Sequence, residues 1–149
     1  MVNTNELSLI VPSILSALLP EKRFDSDIIS AGCNKLILIA TGSEVELVLQ
    51  AQQRLKENGI AARVVSMPSW ELFEKQDESY KQRVFPKGLK KRLAVEAGSP
   101  LGWHKYVTDE GAVLGMTRFG ESAPAADLFK EFGFTVENVV NKAKALTGR

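Results

Sequence analysis

Two short segments of small and hydroxylic residues follow apolar runs, and their residue types suit the binding of an anion. The candidate anion-binding residues are Thr41, Gly42, Ser43, Gly120, Glu121 and Ser122. Free backbone N–H groups at a helix start, next to small side chains, can hold a phosphate. The same residues also have a structural use, because glycine fits a tight turn and serine caps a helix. Both interpretations stay open, and we favour the structural one.

Gly120–Pro124 is similar to the G-x-S-x-G elbow of hydrolases, which would make Ser122 a nucleophile. Two features weaken this interpretation. Pro124 replaces the last glycine, and the single histidine, His104, precedes the serine instead of following it. The sequence also lacks the three-glycine dinucleotide loop and the Gly-Lys-Ser/Thr phosphate loop. It therefore gives little support to a hydrolase and none to an NAD or ATP site.

The residue types that bind metals are scarce. One histidine, His104, and one cysteine, Cys33, exclude an internal disulfide and any multi-cysteine or multi-histidine metal site. We expect His104 to be a structural surface residue or a subunit contact. Glu96, at the end of a predicted strand, is either a carboxylate of raised pKa or an acceptor for the next loop. We predict no catalytic residue and no metal ligand.

Charge and hydropathy exclude two classes of partner. The 149 residues carry 19 basic and 18 acidic side chains, so the sequence has no basic stripe for nucleic acid. The cluster Lys87–Arg92 is interpreted as a solvated loop before a strand, with anion binding as the alternative. Leu7–Leu19 is interrupted by Pro12 and too short for a membrane span, and Met1–Glu6 lacks the basic start of a signal peptide. We expect a soluble, cytoplasmic protein.

A βαβ unit supports the first of the two segments. The continuous apolar run Lys35–Ala40 predicts a strand buried on both faces. Ser43 and Glu46 have the spacing of a capping box for the helix that follows, and Gly59 ends that helix. Ile60–Ser66 is the next predicted strand. A short helical crossover requires the two strands to be parallel.

Strands and helices continue to alternate along the rest of the sequence. The predicted strands are Leu93–Ala97 and Ala112–Thr117. The predicted helices are Trp70–Phe73, Asp77–Val84, Trp103–Val107, Pro124–Phe132 and a last one after Thr135. Residues 1–34 form a poorly defined segment with a possible short helix at Ser13–Leu19 and a possible edge strand at Asp27–Ser30. Residues 35–149 form the domain. The predicted fold class is α/β: a three-layer, open, mostly parallel sheet of about five strands with helices on both faces.

The ordered set of motifs resembles the carboxyl-terminal domain of transketolase, and the resemblance runs from about residue 35 to the end. The segments that carry it are Leu38–Leu47, Arg63–Pro68, Ala94–Gly98, Trp103–Val107, Phe119–Pro124 and Phe132–Val140. Two departures stand out. Residues 3–33 do not match the family pattern, and Thr108 stands where the pattern predicts a glycine.

The resemblance implies a function that this chain does not perform alone. Transketolases use thiamine diphosphate and a divalent metal, Mg²⁺, to move a two-carbon ketol unit between sugar phosphates of the pentose phosphate pathway. In that family the cofactor lies between two other domains and is held by a Gly-Asp-Gly motif, which this sequence lacks. The resemblance therefore implies both cofactors in the complete enzyme and neither bound by this chain alone.

Two functions of different classes follow. The first is a C-terminal domain or subunit of a transketolase with a structural, subunit-contact or regulatory role. Its expected partners are the missing domains or a partner subunit, and a homodimer is also possible. Its candidate interface residues are Trp103, His104 and Phe119. Trp70 and Phe73 join Trp103 and Phe119 in a possible exposed patch, with core membership as the competing explanation. The second function is a stand-alone binding module for a phosphorylated metabolite at the strand-edge loops.

Overall fold

The computed structural model describes residues 34–148. The helix predicted at Ser13–Leu19 and the edge strand predicted at Asp27–Ser30 lie outside the described residues. Within them a four-stranded sheet has the order β2-β1-β3-β4, and every neighbouring pair of strands is parallel. The strands are β1 (Leu36–Ala40), β2 (Ala62–Ser66), β3 (Arg92–Val95) and β4 (Ala112–Leu114). The predicted parallel α/β sheet is confirmed, with shorter strands than the sequence suggested.

Six helices flank this sheet in the described part of the chain. They are α1 (Glu44–Glu57), α2 (Trp70–Glu74), α3 (Glu78–Val84), α4 (His104–Val107), α5 (Ala125–Glu131) and α6 (Val136–Thr147). Helices α1 and α6 pack on one face of the sheet, and α2, α3 and α4 pack on the other. The three-layer architecture is therefore confirmed.

The central strand β1 divides the core into two apolar clusters. All five of its residues are fully buried. Leu36 and Leu38 point to the α1 and α6 side, and Ile37 and Ile39 point to the side of α2, α3 and α4. Alternate side chains of a strand face opposite sides, so a strand covered on both faces must be apolar throughout. This burial on both faces explains why the sequence of β1 is apolar at every position.

The helix starts agree with prediction at two places and differ at one. Asp77 accepts a hydrogen bond from the Tyr80 N–H at 2.7 Å, and Thr135 caps α6 in the same way. The capping box predicted at Ser43 is wrong. Ser43 already has helical backbone angles and makes no cap bond, because the chain turns earlier, at Gly42 with φ +53°. The Ser43 hydroxyl donates instead to Glu44 Oε1 at 2.9 Å.

Thr108 has a backbone conformation that glycine adopts more easily. Its φ of 65° and ψ of 177° make it the one non-glycine residue of positive φ among residues 34–148. Such a conformation costs a β-branched residue roughly 1–3 kcal/mol. The Thr108 hydroxyl donates to the Lys90 carbonyl at 2.7 Å, which offsets part of the strain. The positive φ at this position explains why the family pattern predicts a glycine here.

We expect Thr108→Gly to be more stable than Thr108→Ala by about 1 kcal/mol in urea unfolding. Both variants lose the hydroxyl, but only alanine keeps the strained Cβ. At an unstrained position the order would be reversed, because glycine is usually the less stable of the two. An alanine variant that equals or exceeds the glycine variant would contradict the strain at this residue.

No helix among the described residues is both long enough and apolar enough to cross a bilayer.

Candidate functional site

The order of the strands places a topological switch point at the carboxyl ends of β1 and β3. The chain leaves β1 toward β2 on one side, whereas β3 lies on the other side of β1. The chain therefore leaves β1 and β3 in opposite directions, through residues 41–43 and 96–99, although the two strands are neighbours. Ligands of open α/β sheets bind at such a switch point. This edge is the candidate site, and it contains the first predicted anion-binding segment.

Two acidic side chains, Glu44 and Glu96, lie close together at this switch point. Glu44, the first residue of α1, is only 5% exposed although its side chain is polar. Burial raises the pKa of the Glu96 carboxyl above its ordinary value, and the neighbouring Glu44 raises it further. A Cβ added at Gly98 would lie 3.2 Å from Glu96 Oε1, so the backbone approaches this carboxylate closely. Its burial beside Glu44 favours the first of the two interpretations of Glu96, a carboxyl group of raised pKa.

We expect Glu96→Gln to stabilise the protein at neutral pH. The folded state holds the Glu96 proton more tightly than the unfolded state, so stability falls as pH rises from the ordinary pKa through the raised one. Glutamine does not titrate, so the stability gain should be present above that window. The gain should shrink as the pH falls through the raised pKa toward about 4.3, the ordinary value for glutamate, and it should be absent below that pH. Thermal unfolding from pH 4 to 8 measures this effect.

The Glu44→Gln variant is the comparison for this prediction. It removes the second cause of the raised Glu96 pKa and leaves burial, the larger cause, in place. The pH dependence of stability should therefore weaken without disappearing. Parallel pH profiles for the wild type and Glu96→Gln would contradict the account of this carboxylate.

Local contacts engage the serine hydroxyls along this edge. Ser43 donates to Glu44, and Ser69 accepts from the Leu72 N–H at 3.2 Å as the cap of α2. Ser99 accepts from the Leu101 N–H at 3.2 Å. Thr41 and Gly42 accept the first backbone bonds of the α1 turn through their carbonyls. The turn at Gly42 and the cap at Ser69 are therefore observed, whereas Ser43 makes a local bond other than the predicted cap. The use of these residues for an anion remains a prediction.

The second predicted segment lies on an exposed arm, residues 117–127, which follows β4 and includes the first turn of α5. Gly120, Glu121 and Ser122 are all exposed. Glu121 accepts from Arg118 Nη1 at 3.0 Å, while Ser122 makes no side-chain hydrogen bond to His104 or to any other residue of 34–148. A hydrolytic triad around Ser122 therefore has no geometric support in the described part of the chain.

The predicted interface residues separate into buried and exposed ones. Trp103 is 1% exposed and packs edge-to-face on Trp70, with ring centroids 5.2 Å apart. Phe73 is 4% exposed, so it belongs to the core beneath α2, as Trp103 does beneath α4. His104 is exposed, and Phe119 is 97% exposed. Core membership therefore explains Trp103 and Phe73, and the interface prediction rests on His104 and Phe119.

The basic cluster before β3 contains one residue that is not solvated. Arg92 begins β3, is 8% exposed and donates to three backbone carbonyls. Their oxygens belong to Leu89, Tyr106 and Pro86, at 3.0, 2.8 and 3.3 Å. The prediction of a solvated loop is wrong for Arg92. Its role is to join the loop before β3 to the end of α4.

Sequence reasoning missed the buried Glu44 and the role of Arg118. Glu44 lies within the segment Leu38–Leu47, and an acidic residue directly after a buried strand and a tight turn is an available signal for it. Arg118 organises the arm through contacts with residues up to 14 positions away, which the sequence does not indicate.

Metal binding gains no support, since residues 34–148 contain no cluster of three or more His, Cys, Asp or Glu side chains suited to a cation.

Comparison with known proteins decides the family. The model of the transketolase-like C-terminal domain matches residues 24–135, well over half of the chain. The chain belongs to the transketolase family. The matched family model describes the C-terminal domain, which agrees with the resemblance seen in the sequence. Residues 34–135 of that match lie within the part that the structure describes.

Curated relatives support the assignment over the same region. Transketolase 1 of Escherichia coli is 60% identical over 116 residues, which are 78% of this chain and 18% of that enzyme. Transketolase 1 of Aliivibrio fischeri is 60% identical over 115 residues, 77% of this chain and 17% of that enzyme. The chain thus spans less than a fifth of the length of these transketolases.

Solved structures agree with the fold. Transketolase from Leishmania mexicana superposes with a TM-score of 0.73 at 43% identity, over 80% of this chain and 17% of that one. Transketolase from Pichia stipitis in complex with sedoheptulose 7-phosphate gives a TM-score of 0.71 at 42% identity, over 76% and 16%. A split-gene transketolase, in an inactive β4 tetramer, shares the fold alone, at 24% identity and a TM-score of 0.57.

Proposed function

We propose that this chain acts as the C-terminal domain or subunit of a transketolase and contributes structure and subunit contact rather than chemistry. The observation that carries the proposal is the 60% identity to transketolase 1 of Escherichia coli, confined to 18% of that enzyme. Ketol transfer between sugar phosphates is then the activity of the complete assembly. The remaining transketolase domains, covalently attached or supplied by a partner chain, are the proposed partners, and a homodimer is the proposed assembly.

The residues of this chain do not fit thiamine diphosphate and Mg²⁺. The sequence lacks the Gly-Asp-Gly motif and has one histidine. At the switch point, where a diphosphate would meet the start of α1, the carboxylates of Glu44 and Glu96 repel an anion. We therefore assign both cofactors to the other domains of the complete enzyme and derive no catalytic step through this chain.

The same electrostatics weaken the alternative of a stand-alone module for a phosphorylated metabolite. Glu44 and Glu46 stand in the first turn of α1, and Glu96 follows the neighbouring strand. On the exposed arm, Arg118 is already paired with Glu121 and Glu131. The helix start that favours anions thus carries its own acidic groups. We prefer the transketolase role, in the cytoplasm and in the pentose phosphate pathway.

An assay of the purified chain alone tests the absence of catalysis. Ketol transfer from xylulose 5-phosphate to ribose 5-phosphate is measured with thiamine diphosphate and Mg²⁺, and cofactor binding is measured by calorimetry. Transketolase 1 of Escherichia coli is the positive control. We expect neither turnover nor cofactor binding by the chain alone. Turnover that scales with the concentration of this chain would overturn the proposal.

A further inference from the structure

The two large apolar side chains that are strongly exposed among residues 34–148 lie on neighbouring loops. Leu101 is 82% exposed and Phe119 is 97% exposed. Leu101 follows β3 and Phe119 follows β4, and these strands are adjacent and parallel. Both residues are therefore carried by loops that leave the carboxyl edge of the sheet. The described core elsewhere covers its large apolar side chains, so this pair is an exception.

The two loops are tied together at their bases. The N–H of Met116 donates to the Gly98 carbonyl at 2.7 Å. A Cβ added at Gly115 would lie 3.1 Å from Pro100 Cβ, so the chains after β3 and β4 are in close contact there. Leu101 and Phe119 thus extend from one connected platform rather than from two independent loops.

The arm that carries Phe119 is exposed but held in shape. All residues from 117 to 127 are exposed. Arg118 donates to Glu121 at 3.0 Å and to Glu131 at 3.1 Å, and its guanidinium lies 4.4 Å from the centre of the Phe132 ring. Surface ion pairs add little to stability, but this set joins the arm to the C-terminal end of helix α5. An aromatic side chain on a preorganised loop loses little freedom on binding, which favours affinity.

We propose that Leu101 and Phe119 form a docking face, defined by these two side chains, that seats this domain on the rest of the transketolase. This inference rests on the proposed function and names the surface through which it operates. The matched segment is only 18% of the Escherichia coli enzyme, so most of a complete transketolase lies outside it and is available to cover this face. Because Arg118 and Glu121, which flank Phe119 and Gly120, pair with each other, apolar burial is the main source of affinity. The partner surface is an apolar pocket on the remaining transketolase domains.

Binding variants test the docking face. The probe is transketolase 1 of Escherichia coli lacking the segment that matches this chain, and the ligand is the full 149-residue chain. Isothermal calorimetry gives the dissociation constant. We expect Phe119→Ala to weaken binding at least ten-fold, since buried aromatic anchors dominate interfaces. The double variant Leu101→Ala/Phe119→Ala should weaken it by roughly a hundred-fold.

The controls separate loss of docking from loss of fold. Phe119→Leu keeps an apolar side chain and should bind more tightly than Phe119→Ala. Lys87→Ala changes an exposed loop residue before β3, remote from the carboxyl edge, and should stay within about two-fold of the wild type. Because Phe119 is 97% exposed, its alanine variant should unfold at the same urea concentration as the wild type.

Each outcome decides between defined alternatives. Wild-type binding that Phe119→Ala leaves unchanged would overturn the docking face and leave the proposed function intact. No wild-type binding would overturn both. Self-association of the isolated chain that Phe119→Ala abolishes would identify a second copy as the occupant. Protection of Phe119 from hydroxyl-radical oxidation in the monomeric chain would identify residues 1–33 as the occupant. Either of these last two results would overturn the proposal.

Discussion

Replacing Arg92 with methionine is expected to lower the free energy of unfolding by about 3 kcal/mol. The guanidinium donates to three backbone carbonyls at 2.8 to 3.3 Å and lies 4.9 Å from the centre of the Phe85 ring. Burial lowers the pKa of Arg92, so the cation itself is held at some cost. Methionine removes that cost and keeps the apolar length, but it leaves the carbonyls without their donor. The loss of donors is the larger effect.

Urea unfolding followed by circular dichroism measures the Arg92 effect, with Arg83→Met as the matched control. Arg83 is exposed, and its guanidinium makes a 3.5 Å bond to Ser79 and lies over the face of Tyr80. Its substitution should change stability by less than about 0.5 kcal/mol. Arg92→Lys should also be unstable, since one ammonium cannot reproduce the forked geometry. Equal effects of the Arg92 and Arg83 changes would contradict the account of the β3 start.

Replacing Gly111 with alanine is expected to destabilise the protein by about 3 kcal/mol or more. An alanine Cβ would overlap the Val107 carbonyl oxygen and lie 2.5 Å from the Arg92 carbonyl oxygen. Both atoms belong to the backbone, so no side-chain rotation relieves the clash. The end of α4 and the start of β3 would have to separate, which disrupts the pairing of β3 with β4.

Gly88→Ala is the control for Gly111. A Cβ at Gly88 would meet nothing within 4 Å, and its φ is not among the positive values of the described glycines. Alanine there should be neutral or slightly stabilising, by up to about 1 kcal/mol, because it restricts the unfolded chain. Thermal unfolding of both variants gives the comparison. A Gly111 variant as stable as the Gly88 variant would show that the two backbones are not closely packed at this point.

The fold was predictable from the sequence because its main signals are local. The run of apolar residues in β1 reflects burial on both faces, and the caps Asp77 and Thr135 mark helix starts through their own side chains. The predicted capping box failed because the turn at Gly42 places Ser43 inside the helical geometry already. Spacing alone does not report that conformation.

The candidate site was less predictable because its pairs come from distant parts of the chain. Glu44 and Glu96 meet only because β3 lies beside β1, a property of strand order rather than of either motif. The burial of Arg92 depends on the carbonyl of Tyr106, 14 residues later. Trp103 and Phe119 are both large and aromatic, yet one lies in the core and the other in solvent. Residue type alone does not predict which of the two side chains is buried.

Reconstitution of transketolase activity is the measurement that tests the central claim most directly. Transketolase 1 of Escherichia coli lacking its matching segment would be assayed for ketol transfer, with thiamine diphosphate and Mg²⁺, before and after addition of this chain. We predict that the chain, inactive alone, binds the truncated enzyme and raises its activity or its half-life at elevated temperature in proportion to the complex formed. Neither binding nor any change in activity or half-life at saturating concentrations would contradict a role as a transketolase domain.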